Sequence, residues 1–207
     1  MNELSQYCQC PTLTKHLIVD IISLYQANHR EDTLNHVLNV ADEAVMLAHR
    51  FNLNKNICYE AALLHDISAI LTSQQMQDIA KKYKLYIYDA EKHYPFLLHQ
   101  RISALMGKHY FHIDEPLLLK AVEHHTTLCK EPDDYMMAIF LADKIAWDQI
   151  GKPPHLDVIQ EGLKHSLSVA CSDYIDYVFK ENRILYPHDW LIDARNYFNQ
   201  NKSNSHL

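Results

Sequence analysis

The sequence predicts an all-α protein, a single-domain helical bundle, on three observations. Apolar residues recur at three- and four-residue spacing in nearly every segment, the pattern that turns one face of a helix toward a core. Only one stretch, KLYIYDAEKHYP (84–95), alternates as a strand would, and a lone strand cannot make a sheet, so it is expected to be loop. No repeat, low-complexity segment or long linker divides the 207 residues, a length that suits one domain with a sizeable core.

In chain order, LTKHLIVDIISLYQA (13–27) carries apolar residues at helical spacing. DTLNHVLNVADEAVMLAHRF (32–51) does so more fully, with Asp32 expected as N-cap and Leu34, Val37, Leu38, Ala41, Val45 and Ala48 on one face. A helix over 54–71 follows a short turn, and one over 73–83 opens with Ser73 as its expected cap. Beyond Pro95 come helices over 96–111 and 115–126, the second capped by Asp114 with Pro116 in its first turn. The segment 133–150 is apolar along one side, and GKPPH (151–155) is the sharpest break in the chain. A long amphipathic helix is expected over 156–182 and a short one over 188–199, while the polar QNKSNSHL is expected to fray. These elements divide into an N-terminal helix packed on the domain (1–29), the main body (30–182), and a short C-terminal helix with its tail (183–207).

Hydrophobic residues make up 48% and charged residues 22% of the chain, the proportions of an ordinary globular protein. A formal charge of −7 argues against gripping nucleic acid through broad basic patches. It leaves small phosphorylated ligands open, since a metal can reverse the sign of one cleft. No apolar run approaches the roughly 20 residues that span a bilayer. MNELSQYCQCPTLTK also lacks the basic-then-apolar layout of a secretory signal, so a cytoplasmic location is expected. Five scattered cysteines point to reduced thiols, and Cys8 and Cys10 form a Cys-x-Cys with no second pair to complete a metal site. With three glycines there is no GxGxxG or Walker-type GxxxxGK loop, so any phosphate chemistry falls to metals and side chains.

Fifteen histidines are the outlier. His65 and Asp66 stand side by side in AALLHDISAI (61–70), where burying a polar group without a partner costs roughly 2–7 kcal/mol. A metal ion over the groove between them would pair the carboxylate and accept the imidazole lone pair. Further ligands lie on other apolar faces: His36 among Leu34, Val37 and Val40, His99 after PFLL, His125 at the end of LLLKAVEH, and Asp143 inside MMAIFLADKIAW. Four imidazoles and two carboxylates without thiolate suit iron, manganese or zinc and match calcium poorly. Six ligands exceed what one catalytic ion with an open position takes, and fit two divalent ions sharing a bridging carboxylate. A single histidine on an apolar face is more often a core residue bonded to a backbone carbonyl; two acids in apolar helices with no arginine nearby are harder to explain as packing. His16, His29, His49, His93, His109, His112, His155, His165, His188 and His206 read as surface residues, and His124 as either a further ligand or a substrate contact.

The ordered set His36, His65-Asp66 and Asp143 resembles the signature of the HD-domain metal-dependent phosphohydrolases: a His, a His-Asp pair and a later Asp on successive helices. LLHQRISA (97–104), HTTL (125–128) and LADKI (141–145) look like the blocks of the YqeK branch, where His99 and His125 match two added histidines. The similarity runs over about residues 30–180. It implies an all-helical HD-type fold, two bound metals with iron first and manganese or zinc as alternatives, and symmetrical cleavage of diadenosine tetraphosphate to two ADP. The chain departs from the branch in two places. ISAI follows His-Asp where a Lys is common, and IAWDQIGKPP stands where an IEP and an Arg are common, so the substrate end of the cleft is expected to differ more than the metal end.

On this reading the two ions lower the pKa of a bridging water and orient a substrate phosphate for in-line attack. Asp66 is the expected bridge and, with His65, the catalytic centre. His36, His65 and Asp143 would hold one ion, and His99 and His125 the other. Arg101, His124 and Lys144 are candidates to hold distal phosphates, each set against an ordinary surface charge. Trp147 is a candidate to stack on a base, set against core packing, and Asp148 to orient a ligand histidine, set against a solvated place at the helix end. The expected partner is a small nucleotide, with no nucleic acid and no membrane, and a homodimer is left open. The rivals are a nucleotidase acting on a mononucleotide and a non-catalytic nucleotide-binding regulatory module. Retention of all six ligands counts against the second rival.

Overall fold

The computed structural model describes residues 6–147, 151–181 and 183–204, and among them the regular secondary structure is helical, with no strand. In chain order the first helices are α1 (Leu17–Ala27), α2 (Glu31–Arg50), α3 (Lys55–Leu64), α4 (Ser73–Lys82), α5 (Asp89–His93) and α6 (His99–His109). After them come α7 (Pro116–Glu123), α8 (Asp134–Ile145), α9 (Leu156–Leu163), α10 (Leu167–Lys180) and α11 (Asp189–Asn204). The antiparallel pair α2 and α3 packs most closely, and α7 and α8 close the bundle around it. Val37, Val40 and Ala44 of α2, Ala61 and Leu64 of α3, and Phe140 and Leu141 of α8 are fully buried along this seam. Each large side chain so buried is worth about 1.5–3 kcal/mol, so the seam fixes how the helices that carry polar residues lie on one another. α1 packs on α2 and α3, α6 on α7, α9 and α10 on α8, and α11 on α10. No helix among the described residues is long and apolar enough to cross a membrane.

Several boundaries differ from the sequence reading, each for a local reason. α1 starts at Leu17 rather than 13, because Thr14 folds back and donates from both N and Oγ1 to Asp20 Oδ1 at 2.7 Å. Asp32 lies inside the first turn of α2, where its charge faces the positive helix end, and does not cap it. Thr72, not Ser73, caps α4, in a reciprocal pair with Gln75. Glu115, not Asp114, caps α7, accepting from Leu117 N at 3.2 Å. The expected loop 84–95 contains α5, whose start is held by Tyr88 N donating to Glu91 Oε2 at 3.0 Å.

The long helix expected over 156–182 is two helices. Ser166 Oγ caps α10 by accepting from Val169 N. α9 and α10 then meet so closely that a Cβ on Gly162 would lie 2.5 Å from Ala170 Cα, a contact only glycine allows. α11 continues to Asn204 through most of the tail expected to fray, with Lys202 Nζ bonded to Asp173 and Asp176 at 3.3 and 3.2 Å. α8 ends at Ile145, and Asp148 lies outside the described residues. His155 and His188, read from the sequence as surface residues, are 7% and 2% exposed.

Arg101 also departs from its expected place. It is a buried structural charge: Nη1 donates to both Glu91 oxygens at 3.1 and 3.0 Å and to Tyr86 O at 2.7 Å. It lines a separate cavity of about 270 Å³ with Lys108 and Lys120 and not the cleft over Asp66, and its bonds to Glu91 tie α5 to α6. Removing one partner of a buried pair strands the other charge, at a cost of about 3–5 kcal/mol. Arg101→Ala is therefore expected to lose stability on that scale in urea denaturation, and the double variant Glu91→Leu/Arg101→Met to lose less. An Arg101→Ala protein as stable as the parent would return this residue to the substrate.

Candidate metal centre

α3 ends at Leu64; His65 and Asp66 form the turn that leaves it, and a 3-10 turn (Ile67–Ile70) carries the chain on. The helix expected over 54–71 is thus broken at the His-Asp pair. Two polar side chains come to stand in an apolar run because they sit at a helix end, not in its middle.

Near the end of α3, His65 Nδ1 donates to Ala62 O at 2.6 Å, beside the bond from its own backbone N. His125, just past α7, meets Val122 O at 2.8 Å. His99, directly after the 3-10 turn Pro95–Leu98, meets Phe96 O at 2.7 Å. A carbonyl only accepts, so each Nδ1 carries the proton and each Nε2 keeps its lone pair. All three Nε2 atoms face Asp66: His65 at 3.7 Å from Oδ2, His99 and His125 at 3.4 and 3.5 Å from Oδ1. His36 Nε2 lies 3.1 Å from Asp143 Oδ1, which is 3.7 Å from His65 Nε2. The six side chains singled out in the sequence are brought together from α2, the end of α3, the start of α6, the turn after α7, and α8.

Two groups of three atoms, each within 4.8 Å of one another, come from His36, His65 and Asp66 and from Asp66, His99 and His125. Asp66 belongs to both. The arrangement fits a bound cation on its own terms. His65 Nε2 and Asp66 Oδ1 are buried with no hydrogen-bond partner. His99 Nε2 and His125 Nε2 stand 3.0 Å apart. Lone pairs that close repel unless a cation joins them, so these two nitrogens suit a shared metal ion. The group can hold a divalent metal.

Protonation agrees with that use. Burial pushes the His65 and His99 imidazoles down to about 4, outweighing the pull of the Asp66 carboxylate. Burial works against the Asp66 carboxylate, but His65, His125 and His99 outweigh it and hold the group below the usual carboxylate range. For Asp143 burial is likewise outweighed, by Lys144 and His36. Neutral imidazoles thus surround ionised acids, the state in which both are ligands.

Hydroxyl groups that nothing in the sequence singled out position the candidate ligands. Ser68 Oγ donates to His99 O at 2.8 Å, and Ser103 Oγ bonds both Ser68 Oγ at 3.0 Å and Ser68 N at 3.2 Å. These bonds tie the turn after Asp66 to the start of α6. Thr126 Oγ1 lies 3.0 Å from His99 Nε2. A serine or threonine in a helix or turn is too common to stand out.

A cleft of about 960 Å³ opens over Asp66, Asp143 and His36. Asp32, Thr33 and Asn39 line it from the face of α2 that carries His36, a signal present in the sequence as residues four and three before and three after that histidine. Phe96, Lys144, Trp147, His155 and Tyr174 line it as well. Of the proposed substrate contacts, Lys144 and Trp147 are therefore at the cleft. Lys144 Nζ is paired with Asp143 Oδ2 and lies 5.0 Å from the Phe140 ring centroid. His155 Nε2 donates to Lys144 O at 2.9 Å. His124 turns instead against Trp190 of α11, ring centroids 4.4 Å apart, where burial pushes its imidazole down to about 4.

The sequence profile of the HD domain matches residues 33–148. The chain belongs to the HD domain family. Among relatives of this HD-domain protein, an uncharacterized protein in the pepC 5′ region of Lactococcus lactis subsp. cremoris is 29% identical over 143 residues, 69% of this chain and 73% of that one. A Staphylococcus aureus protein named symmetrical bis(5′-nucleosyl)-tetraphosphatase is 29% identical over 119 residues, 56% of this chain and 59% of that one. A crystal structure from Clostridium acetobutylicum, described as a predicted HD superfamily hydrolase involved in NAD metabolism, matches with a TM-score of 0.78 at 24% identity. It covers 92% of this chain and 100% of that one, and shows the fold.

The depressed imidazoles carry a pH signature in the metal-free HD-domain protein. Unfolded, His65, His99 and His124 take up protons near the ordinary imidazole value of 6.5; folded, they do so only at about 4. The unfolded state binds more protons between those limits, so stability falls as pH drops from 6.5 toward 4. Urea denaturation of metal-free protein at pH 7.0 and 4.5 is expected to show a loss of at least about 1 kcal/mol. Equal stability at the two pH values would mean that these rings are not held neutral.

Proposed function

We propose that this HD-domain protein is a metal-dependent phosphohydrolase that cleaves a dinucleoside tetraphosphate symmetrically into two nucleoside diphosphates. The observation that carries this reading is the place of Asp66 in both ligand groups, since a shared carboxylate suits a pair of ions. The name of the Staphylococcus aureus relative supports the choice of substrate. When bound, a pair of divalent ions supplies a water-derived nucleophile near neutral pH and neutralises phosphate charge.

His36, His65, Asp66 and Asp143 would hold one ion, and Asp66, His99 and His125 the other. The donor set admits iron, manganese or zinc, and iron is the metal that the YqeK resemblance favours. Buried imidazoles with their Nδ1 protons fixed on carbonyls do not donate protons to a leaving group, so the leaving diphosphate departs as an anion. Lys144, lining the cleft and paired with Asp143, would hold that carboxylate in place and offer its charge to a nearby phosphate. Trp147, on the same cleft, would meet a base.

Protein loaded with ferrous iron or manganese is expected to convert diadenosine tetraphosphate to two ADP and to nothing else. ATP with AMP as products would overturn symmetrical cleavage, and phosphate released from AMP with the tetraphosphate left intact would make the protein a nucleotidase. Asp66→Ala is expected to lose both ions on elemental analysis and to lose activity by at least about 100-fold. Two ions per chain retained by that variant would overturn the bridging role.

A further inference from the structure

Phe96 stands in the 3-10 turn Pro95–Leu98, at the edge of the cleft. It keeps 49% of its surface exposed, whereas Leu98, two residues on, keeps none. Its ring lies nearly parallel to the His99 imidazole, with centroids 4.7 Å and planes 18° apart, and it lines the cleft over Asp66 and Asp143. His99 itself is 5% exposed, so the phenyl ring rests on a buried imidazole and gives its remaining surface to the cleft.

The ring is also held before any ligand arrives. Pro95 opens the 3-10 turn at its first position, which fixes the backbone there. Phe96 O accepts the Nδ1–H of His99, so the residue that sets the tautomer of one candidate ligand also presents the ring. A preorganised aromatic face takes a flat ligand with little ordering cost. The flat parts of a nucleotide are its bases, and any aromatic face accepts any base. Trp147 lines the same cleft from the end of α8, so a ligand with a base at each end would meet rings from two separate segments.

We infer that Phe96 is a specificity-determining residue, a shelf on which one nucleobase stacks while the attached phosphates reach the Asp66–Asp143 centre. The inference rests on the reading of this cleft as a nucleotide site, and it selects nucleotides over base-free polyphosphates. Stacking on an aromatic side chain is worth roughly 5- to 100-fold in affinity per base.

The test is calorimetric binding of ADP and of inorganic tripolyphosphate to the manganese-loaded full chain. Phe96→Leu keeps an apolar cover over His99 and removes the aromatic face. It is expected to weaken ADP by roughly 5- to 100-fold and tripolyphosphate far less, so that the preference for ADP falls. Phe96→Tyr and Phe96→Trp are expected to keep that preference. Weakening of both ligands by the same factor, with or without loss of manganese, would overturn the shelf and leave Phe96 a positioning residue for His99. An ADP preference that survives Phe96→Leu would overturn it as well. If the parent protein binds ADP through Phe96 yet leaves diadenosine tetraphosphate intact, the shelf stands and the hydrolytic reading falls. If it cleaves the tetraphosphate and Phe96→Leu keeps the ADP preference, the reverse holds.

Discussion

At three turns of this protein an imidazole donates its Nδ1 proton to the main-chain carbonyl three residues earlier in the chain. His65 does so to Ala62 O, His125 to Val122 O, and His99 to Phe96 O after a 3-10 turn. One hydrogen bond then does two things: it orients the ring and fixes which ring nitrogen carries the proton. The bare Nε2 atoms that result all turn to Asp66. Move any of these three turns by one residue and the nitrogen would point elsewhere, so the packing of α3, α6 and α7 is also the alignment of the centre.

That alignment has an energetic consequence. Without a cation, neutral imidazole lone pairs and two ionised carboxylates crowd into a small volume, and His65 Nε2 and Asp66 Oδ1 find no hydrogen-bond partner. A cluster assembled for stability alone would pair such groups or replace them with apolar side chains. The seam of buried residues on α2, α3 and α8 holds the cluster together against this repulsion, and elsewhere the buried charges are compensated. Glu91, for example, has Arg101 at 3.0 Å and His188 at 3.6 Å. The contrast between the two buried acidic sites is what separates a ligand set from a structural ion pair.

Much of this was legible in the chain. Helical spacing marked every long element, and polar residues interrupting apolar runs marked all six members of the cluster. The ends of the helices were less legible, because caps depend on which side chain can fold back. Thr72 and Glu115 cap where Ser73 and Asp114 were equally plausible by type. The break at Gly162–Ser166 was hidden because both halves carry the same amphipathic pattern, and only the close approach to Ala170 reveals why a glycine stands there. Arg101 and His124 show the opposite error. A cation or an imidazole near the motif looks like a substrate contact until its real partners, Glu91 and Trp190, arrive from distant parts of the chain.

By itself, the sequence determined the fold class and the identities of the six polar side chains that cluster, since periodicity and a polar residue in an apolar run are local properties. Only the tertiary structure decided that His65 and Asp66 close a helix, that Asp66 stands between two groups of nitrogens, and that Phe96 faces the cleft while Arg101 does not. Those are questions of direction, and a side chain's direction is set by where its helix stops and what packs against it, neither of which is written in the residue's own neighbourhood.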